Sequence, residues 1–283
     1  MLIYRNNLEL QNETLKLKKT GKSIGFVATM GALHQGHISL IEQARKENDI
    51  VIVSVFVNPL QFGPKEDFSK YPRPRESDEN ICKDHNVDIL FLPEEDSFYL
   101  KDHKTYVTVE ELSEIHCGKT RPGHFKGVTT VVLKLFNIVE PDRAYFGKKD
   151  FQQLVIIKKM VADLSLPIEV IGCPIVRDFD GIALSSRNKY LSPEERKTAL
   201  AISQSLREAA NRIASGEKSA KVVYDLIFEK LSNKENLKID YIAIVDDYNL
   251  KTRENLDKNT VILIAAYVGS TRLIDNLHLE DIL

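Results

Sequence analysis

Two imidazoles three residues apart, His34 and His37, lie in the stretch Thr29-Met30-Gly31-Ala32-Leu33-His34-Gln35-Gly36-His37. Histidines so spaced can be surface decoration, a satisfied structural pair, or two groups facing one anion. Metal binding is a further option, but no Glu stands between them and no third ligand is obvious nearby. Context favours the anion. An apolar run, Ile24 to Ala28, precedes the stretch, and Ile38-Ser39-Leu40-Ile41-Glu42-Gln43-Ala44 follows with apolar positions at helical spacing. The order is strand, Gly-bearing turn, helix, the junction at which open α/β sheets bind ligands. A helix starting near Gly36 should leave its first main-chain N–H groups open to an anion.

Two further clusters carry cations. Phe146-Gly147-Lys148-Lys149-Asp150-Phe151-Gln152-Gln153 falls at a second strand-to-helix junction, where Gly147 lets the backbone approach a ligand and the lysines can pair with phosphate. Adjacent lysines are by composition alone more often solvent decoration. Ile182-Ala183-Leu184-Ser185-Ser186-Arg187-Asn188 puts two hydroxyls and a planar fork of donors in one loop, either a polyphosphate clamp or a plain polar turn. In Asn58-Pro59-Leu60-Gln61-Phe62-Gly63 the Gln61 amide can donate and accept, toward a hydroxy acid or toward a loop carbonyl. Asn58, Tyr71 and Arg73 are candidates for the same wall, and Arg121 and His124 of the RPGHF segment are weaker ones.

The elements that must position these groups alternate. A surface helix over 9–19 precedes the first strand. Strands are expected at 49–57, 87–92, 143–146 and 167–176, with a further or edge strand at 105–109. Helices are expected at 38–48, 75–86, 127–139 and 150–164, and a polar Gly-rich loop at 116–125. The β-branched run after Asp49 suits a parallel strand buried on both faces. This alternation predicts an α/β fold, a Rossmann-like doubly wound parallel sheet. After the Asp180-Gly181 turn signal, Ser192-Pro193-Glu194-Glu195 opens a pair of helices, 192–214 and 219–233, followed by strands at 239–245 and 261–268. Residues 1–176 are thus expected to form the Rossmann-like domain, and 177–283 a smaller C-terminal α+β domain.

Composition excludes several classes. With 283 residues, 43% hydrophobic and 28% charged, the chain reads as a globular protein of about two domains. A net charge of −2 gives no electrostatic footprint for nucleic acid or an anionic membrane. No apolar run is long enough to span a bilayer, and the N-terminal residues lack a signal peptide's apolar core. Cys82, Cys117 and Cys173 are odd in number and widely spaced, as in a cytoplasmic protein with reduced thiols.

The HxGH string after a first parallel strand resembles the nucleotidylyltransferase superfamily, and the fuller TMGALHxGH resembles the pantoate–β-alanine ligases within it. FGKKDFQQ resembles that family's FGxKDxQQ, and SSRN its counterpart of a mobile synthetase loop. The resemblance implies an ATP-dependent, AMP-forming ligase joining pantoate to β-alanine through a pantoyl adenylate, in coenzyme A precursor synthesis. It implies His37, His34 and Lys149 as catalytic groups. It implies an ATP site of Met30, Gly31, Ala32, Leu33, His34, Gln35, Gly36, His37, Gly147, Lys148, Lys149, Asp150, Val176, Leu184, Ser185, Ser186 and Arg187. Gln61 and Gln153, with Asn58, Tyr71 and Arg121, are implied for pantoate and β-alanine. Mg²⁺ is implied with ATP; in Arg75-Glu76-Ser77-Asp78-Glu79, Ser77 stands where some relatives have an acid, which leaves Asp78 as the implied single ligand, and a homodimer is implied. The alternative reading is a nucleotidylyltransferase acting on a phosphorylated small molecule, with the same first cluster and fold.

Overall fold

Strands whose residues are almost all buried on both faces organise the first part of the chain. In the computed structural model, which describes residues 1–64 and 66–283, the chain clusters into two compact units. One comprises Met1–Lys148 and Ile156–Pro174; the other comprises Lys149–Val155 and Ile175–Leu283.

The first unit runs β1 (Leu2–Tyr4), α1 (Asn7–Lys19), β2 (Ile24–Thr29), α2 (Gln35–Glu47), β3 (Ile50–Val55), α3 (Arg75–Asp84), β4 (Ile89–Phe91), and two short helices, α4 (Glu95–Phe98) and α5 (Cys117–Thr120). It continues through α6 (His124–Val139), β5 (Arg143–Gly147), α7 (Phe151–Asp163, shared with the second unit) and β6 (Glu169–Cys173). All six strands are parallel, in the order β1-β4-β3-β2-β5-β6. The chain moves from β2 toward one edge through β3 and β4, then returns to place β5 on the other side of β2. That reversal is the topological switch point at which such sheets bind ligands. Because β2 and β5 are parallel neighbours, paired at Gly25–Arg143 and Phe26–Ala144, the turn after Thr29 and the Gly147-Lys148 step leave the same edge. The core beneath them includes Val27, Leu40, Ile41, Val51, Val53, Leu90 and Tyr145.

The second unit adds α8 (Pro193–Ala214), α9 (Ala220–Ser232) and an antiparallel sheet of β7 (Leu237–Asp246), β8 (Thr260–Val268) and β9 (Thr271–His278), with β8 central. Ser192 caps α8 by accepting from Glu195 N while the Glu195 carboxylate accepts from Ser192 N, a reciprocal cap with Pro193 at the first position. The inner faces of both helices and the sheet share one apolar core, including Ile202, Leu206, Val223, Ile227, Ile262 and Ile264. No helix among the described residues is long and apolar enough to cross a membrane.

Three local expectations change. Residues 105–109 form no strand: Val107 N donates to Thr130 Oγ1 and Thr129 Oγ1 donates to Val107 O, so threonines of α6 satisfy this backbone. Two strands, β1 and β9, are additions to the expected set, one being three residues long and the other interrupted by Asp275-Asn276. The Gly-rich segment 116–125 holds α5 and the start of α6 rather than loop alone.

Candidate active site

The turn after β2 is determined by groups outside it. Gly31 and Ala32 adopt left-handed conformations, with φ of 82° and 51°. A Cβ on Gly31 would stand 2.8 Å from Val55 Cγ1 and 2.9 Å from Asp78 Oδ2, so only glycine fits. Thr29 Oγ1 accepts from Gly31 N at 3.1 Å and donates to Ser54 O at 2.8 Å. Asp78, in the first turn of α3 and 1% exposed, accepts from Ala32 N at 2.9 Å and Leu33 N at 2.8 Å.

His34 is the N-cap of α2. Its Nδ1 accepts from Gly36 N at 3.1 Å, and His37 Nδ1 accepts from His34 N at 3.3 Å, a reciprocal cap made of two imidazoles. Main-chain N–H groups can only donate, so both Nδ1 atoms are acceptors. Each ring is therefore the neutral tautomer that carries its proton on Nε2. The ring centroids lie 4.1 Å apart. The expected row of open helix amides is thus narrowed, because Gly36 N and His37 N are both taken by His34. The two rings thus carry their N–H groups on adjacent Nε2 atoms.

Gln61 is 8% exposed, at the end of a short 3-10 turn. Its Oε1 accepts from Asn58 Nδ2 at 3.0 Å, and its Nε2 donates to Met30 Sδ at 3.1 Å. Asn58, expected to face substrate, is fully buried and committed: its Oδ1 accepts from Leu60 N and Tyr99 Oη, and its Nδ2 also serves Gly127 O. Arg121 is likewise diverted, with Nε and Nη2 on Glu66 at 2.7 and 2.6 Å and Nη1 on His124 Nε2 at 2.9 Å. His124 Nδ1 in turn reaches Gln61 O at 2.8 Å. Burial pushes the Glu66 carboxyl up, but hydrogen bonding and charge from Arg121 outweigh it and hold the group below its ordinary value. Tyr71 is buried edge-on to Phe62, and Arg73 donates to Phe68 O and Tyr71 O, so it braces this loop from within.

In the second unit, Lys149 is held by its main chain: Asn276 Nδ2 donates to Lys149 O at 2.9 Å, while Lys149 Nζ lies 3.8 Å from Asp150. Beside Asn276, Asp275 is 4% exposed and takes a two-pronged ion pair from Arg177 at 2.7 and 3.0 Å. Val176 O accepts from Leu184 N, and Asp178 N donates to Ile182 O, closing a tight loop around Gly181 at φ 95°. Ser185 caps the short helix over 186–190 by accepting from Arg187 N at 3.3 Å, which presents Ser186 and Arg187 in sequence. Gln153 is half-buried in the first turn of α7, while Gly147 ends β5 and Lys148 opens the 3-10 turn Lys148–Asp150. Asp275, Asn276, Tyr99 and Glu66 lie outside the set that sequence reasoning picks out. Their only signal is polarity inside or beside an apolar pattern.

A protein-built metal centre does not fit. Among the described residues no group of three or more His, Cys, Asp or Glu could hold an ion. Asp78, the candidate ligand, has both oxygens engaged by main-chain N–H groups.

Comparisons with known proteins cover nearly the whole chain. The Pantoate-beta-alanine ligase family model matches residues 2–278. The chain is 52% identical over 278 residues to "Pantothenate synthetase" of Sulfurihydrogenibium sp. (strain YO3AOP1), covering 98% of this chain and 99% of the relative. It is 50% identical over 282 residues to "Pantothenate synthetase" of Pseudothermotoga lettingae, covering 100% of both. Among solved structures, pantothenate synthetase from Thermus thermophilus superposes with a TM-score of 0.93 at 42% identity, over 99% of each chain. Pantoate-beta-alanine ligase from Francisella tularensis, complexed with beta-gamma ATP and beta-alanine, gives 0.81 at 37% identity, over 99% of this chain and 98% of that one.

Proposed function

Since the chain belongs to the pantoate–β-alanine ligase family and condenses pantoate with β-alanine using ATP, we propose that it does so by neutral hydrogen-bond donation from His34 and His37 to the reacting phosphate. The carboxylate of pantoate is a poor electrophile. Its oxygen attacks the α-phosphorus of ATP, the bond to pyrophosphate breaks, and pantoyl adenylate forms. The β-alanine amine then attacks the acyl carbon, releasing AMP and a proton and giving pantothenate, a coenzyme A precursor.

The observation that carries this reading is the imidazole pair whose Nδ1 atoms are occupied by main-chain N–H groups. Preset donors cost little reorganisation as charge develops on phosphate. Met30 to Leu33, Gln35 and Gly36 shape the turn against the nucleotide. Lys149, Ser185, Ser186 and Arg187 serve the phosphates, with Gly147, Lys148, Asp150, Val176 and Leu184 completing the ATP set. Gln61 and Gln153 hold pantoate, and Tyr71 walls the acid's slot. Asn58 and Arg121 act on substrate indirectly, through the Gln61 loop. Mg²⁺ enters as the ATP complex, with phosphates and water as its ligands, the way this ion commonly binds. The enzyme works in the cytoplasm, as a homodimer.

The test mixes ATP, Mg²⁺ and pantoate with and without β-alanine, following pyrophosphate and AMP. Pyrophosphate should appear with pantoate alone, and free AMP should require β-alanine. His37→Ala should slow adenylate formation by roughly a hundredfold, about 3 kcal/mol, with little loss of fold. Pyrophosphate–ATP exchange that runs without pantoate, or a near-normal first half-reaction in His37→Ala, contradicts the reading.

A further inference from the structure

The amide of Gln61 has its orientation imposed from outside, and the direction of every bond in the chain that imposes it can be deduced. Leu60 N–H can only donate and Gly127 C=O can only accept. The first faces Asn58 Oδ1 at 3.3 Å and the second faces Asn58 Nδ2 at 3.1 Å, so these main-chain groups fix which end of the Asn58 amide is which. The Tyr99 hydroxyl, 3.0 Å from Oδ1, must then be a donor. The Gln61 atom 3.0 Å from Asn58 Nδ2 must be its carbonyl oxygen. It follows that Gln61 directs its NH2 group the other way, toward Met30 Sδ, a weak acceptor that a carboxylate or hydroxyl oxygen outcompetes.

We propose that Tyr99 is a positioning residue for pantoate: through Asn58 it locks the Gln61 amide so that the group turned to the acid is a hydrogen-bond donor. This rests on the reading of Gln61 as a pantoate ligand given above. The lock selects for an acceptor oxygen at that point of the acid and against a donor.

The surroundings suit such a role. The Tyr99 ring packs against Phe98 with centroids 4.9 Å apart and against His103 at 4.9 Å. Its position is therefore set by the ring, and its hydroxyl is left to the Asn58 bond. Burial raises its pKa, so it keeps its proton across the working range. The main chain around Gln61 is fastened separately. Gly127 lets α6 approach where a Cβ would stand 2.3 Å from Leu60 O, and His124 Nδ1 bonds Gln61 O. Loss of the Tyr99 hydroxyl should thus loosen the amide and leave the loop in place.

The test is a double-mutant cycle on the intact enzyme, with KM for each substrate, kcat and the melting temperature as readouts. Tyr99→Phe should raise KM for pantoate about fivefold, as expected for one neutral hydrogen bond. The KM values for ATP and β-alanine and the melting temperature should stay at wild-type values. Gln61→Ala should raise KM for pantoate further, and adding Tyr99→Phe to Gln61→Ala should then change nothing. A Tyr99→Phe penalty that persists undiminished in the Gln61→Ala background, or that falls equally on all three substrates, overturns the lock. An unchanged KM for pantoate in Gln61→Ala overturns the reading of Gln61 itself, a failure separable from that of Tyr99.

Discussion

The turn that presents His34 and His37 and the loop that presents Ser185 and Arg187 are both tight, glycine-bearing and attached to a sheet, yet they are held by different forces. In the first, neutral main-chain N–H groups meet one buried carboxylate, one threonine and two imidazoles. In the second, charge meets charge. Arg177 grips Asp275, and Arg196 grips both Asp178 at 2.6 Å and Asp180 at 2.8 Å. Hydrogen bonds to fixed amides give one geometry and little response to salt. The Arg196 pairs join partly exposed side chains and are screened and adjustable, whereas Asp275 is buried, which leaves its pair with Arg177 less screened. The first turn is thus held in one geometry, and the second loop in part by adjustable charge.

The contrast breaks most visibly at Arg177. Arg177→Ala leaves the Asp275 carboxyl buried and without its cation, which costs about 3–5 kcal/mol. The second unit should melt many degrees earlier by circular dichroism, and Arg177→Ala combined with Asp275→Asn should recover part of the loss. An unchanged melting temperature in the single variant would show that this ion pair does not hold β9.

Next in size is the neutral clamp. Asp78→Asn keeps the side chain's shape but turns an NH2 group toward a main-chain N–H, a mismatch worth about 1–3 kcal/mol. The Gly31-Ala32 turn should relax, and the first half-reaction should slow by roughly tenfold or more at saturating ATP. The Mg²⁺ concentration for half-maximal rate should stay where it is, since the carboxylate serves the turn. A variant whose rate returns in full at raised Mg²⁺ would instead make Asp78 a metal ligand.

The two loops also differ in how far the sequence alone reveals them. The first is local: strand, glycine, imidazoles and helix follow one another within a few residues, so order and chemistry are both visible in Thr29 to His37. Its anchor is not, because Asp78 lies 45 residues beyond Leu33 and an acid after Tyr71-Pro72-Arg73 reads equally well as a metal ligand. The supports of the second loop are more remote still. Asp275 and Asn276 interrupt the apolar alternation of β9, so the residues that fix Arg177 and Lys149 also hide the strand that carries them. Asn58 misleads in the opposite way. A polar side chain beside a ligand-type glutamine looks like a second ligand, whereas in the fold Asn58 is buried and makes four hydrogen bonds to its neighbours.

The smallest expected effect tests whether the first unit relies on charge anywhere near its candidate ligands. Glu66 is the exception there, pairing with Arg121 and so tying the loop after Gln61 to the start of α6. Its carboxyl is held below its ordinary value in the folded chain. The pair therefore contributes in full above the unfolded carboxylate pKa of about 4.3, and the contribution disappears as pH falls through the depressed folded value. Because the Glu66 side chain is a quarter exposed, at 25%, solvent limits the gain to about 1 kcal/mol or less. Urea unfolding of wild type and Glu66→Gln should accordingly give a small stability gap that is constant near neutrality and closes below the ordinary carboxylate range. A gap of the same size from about pH 7 down to about pH 3 would mean that shape and hydrogen bonding hold this loop without help from the charge of Glu66.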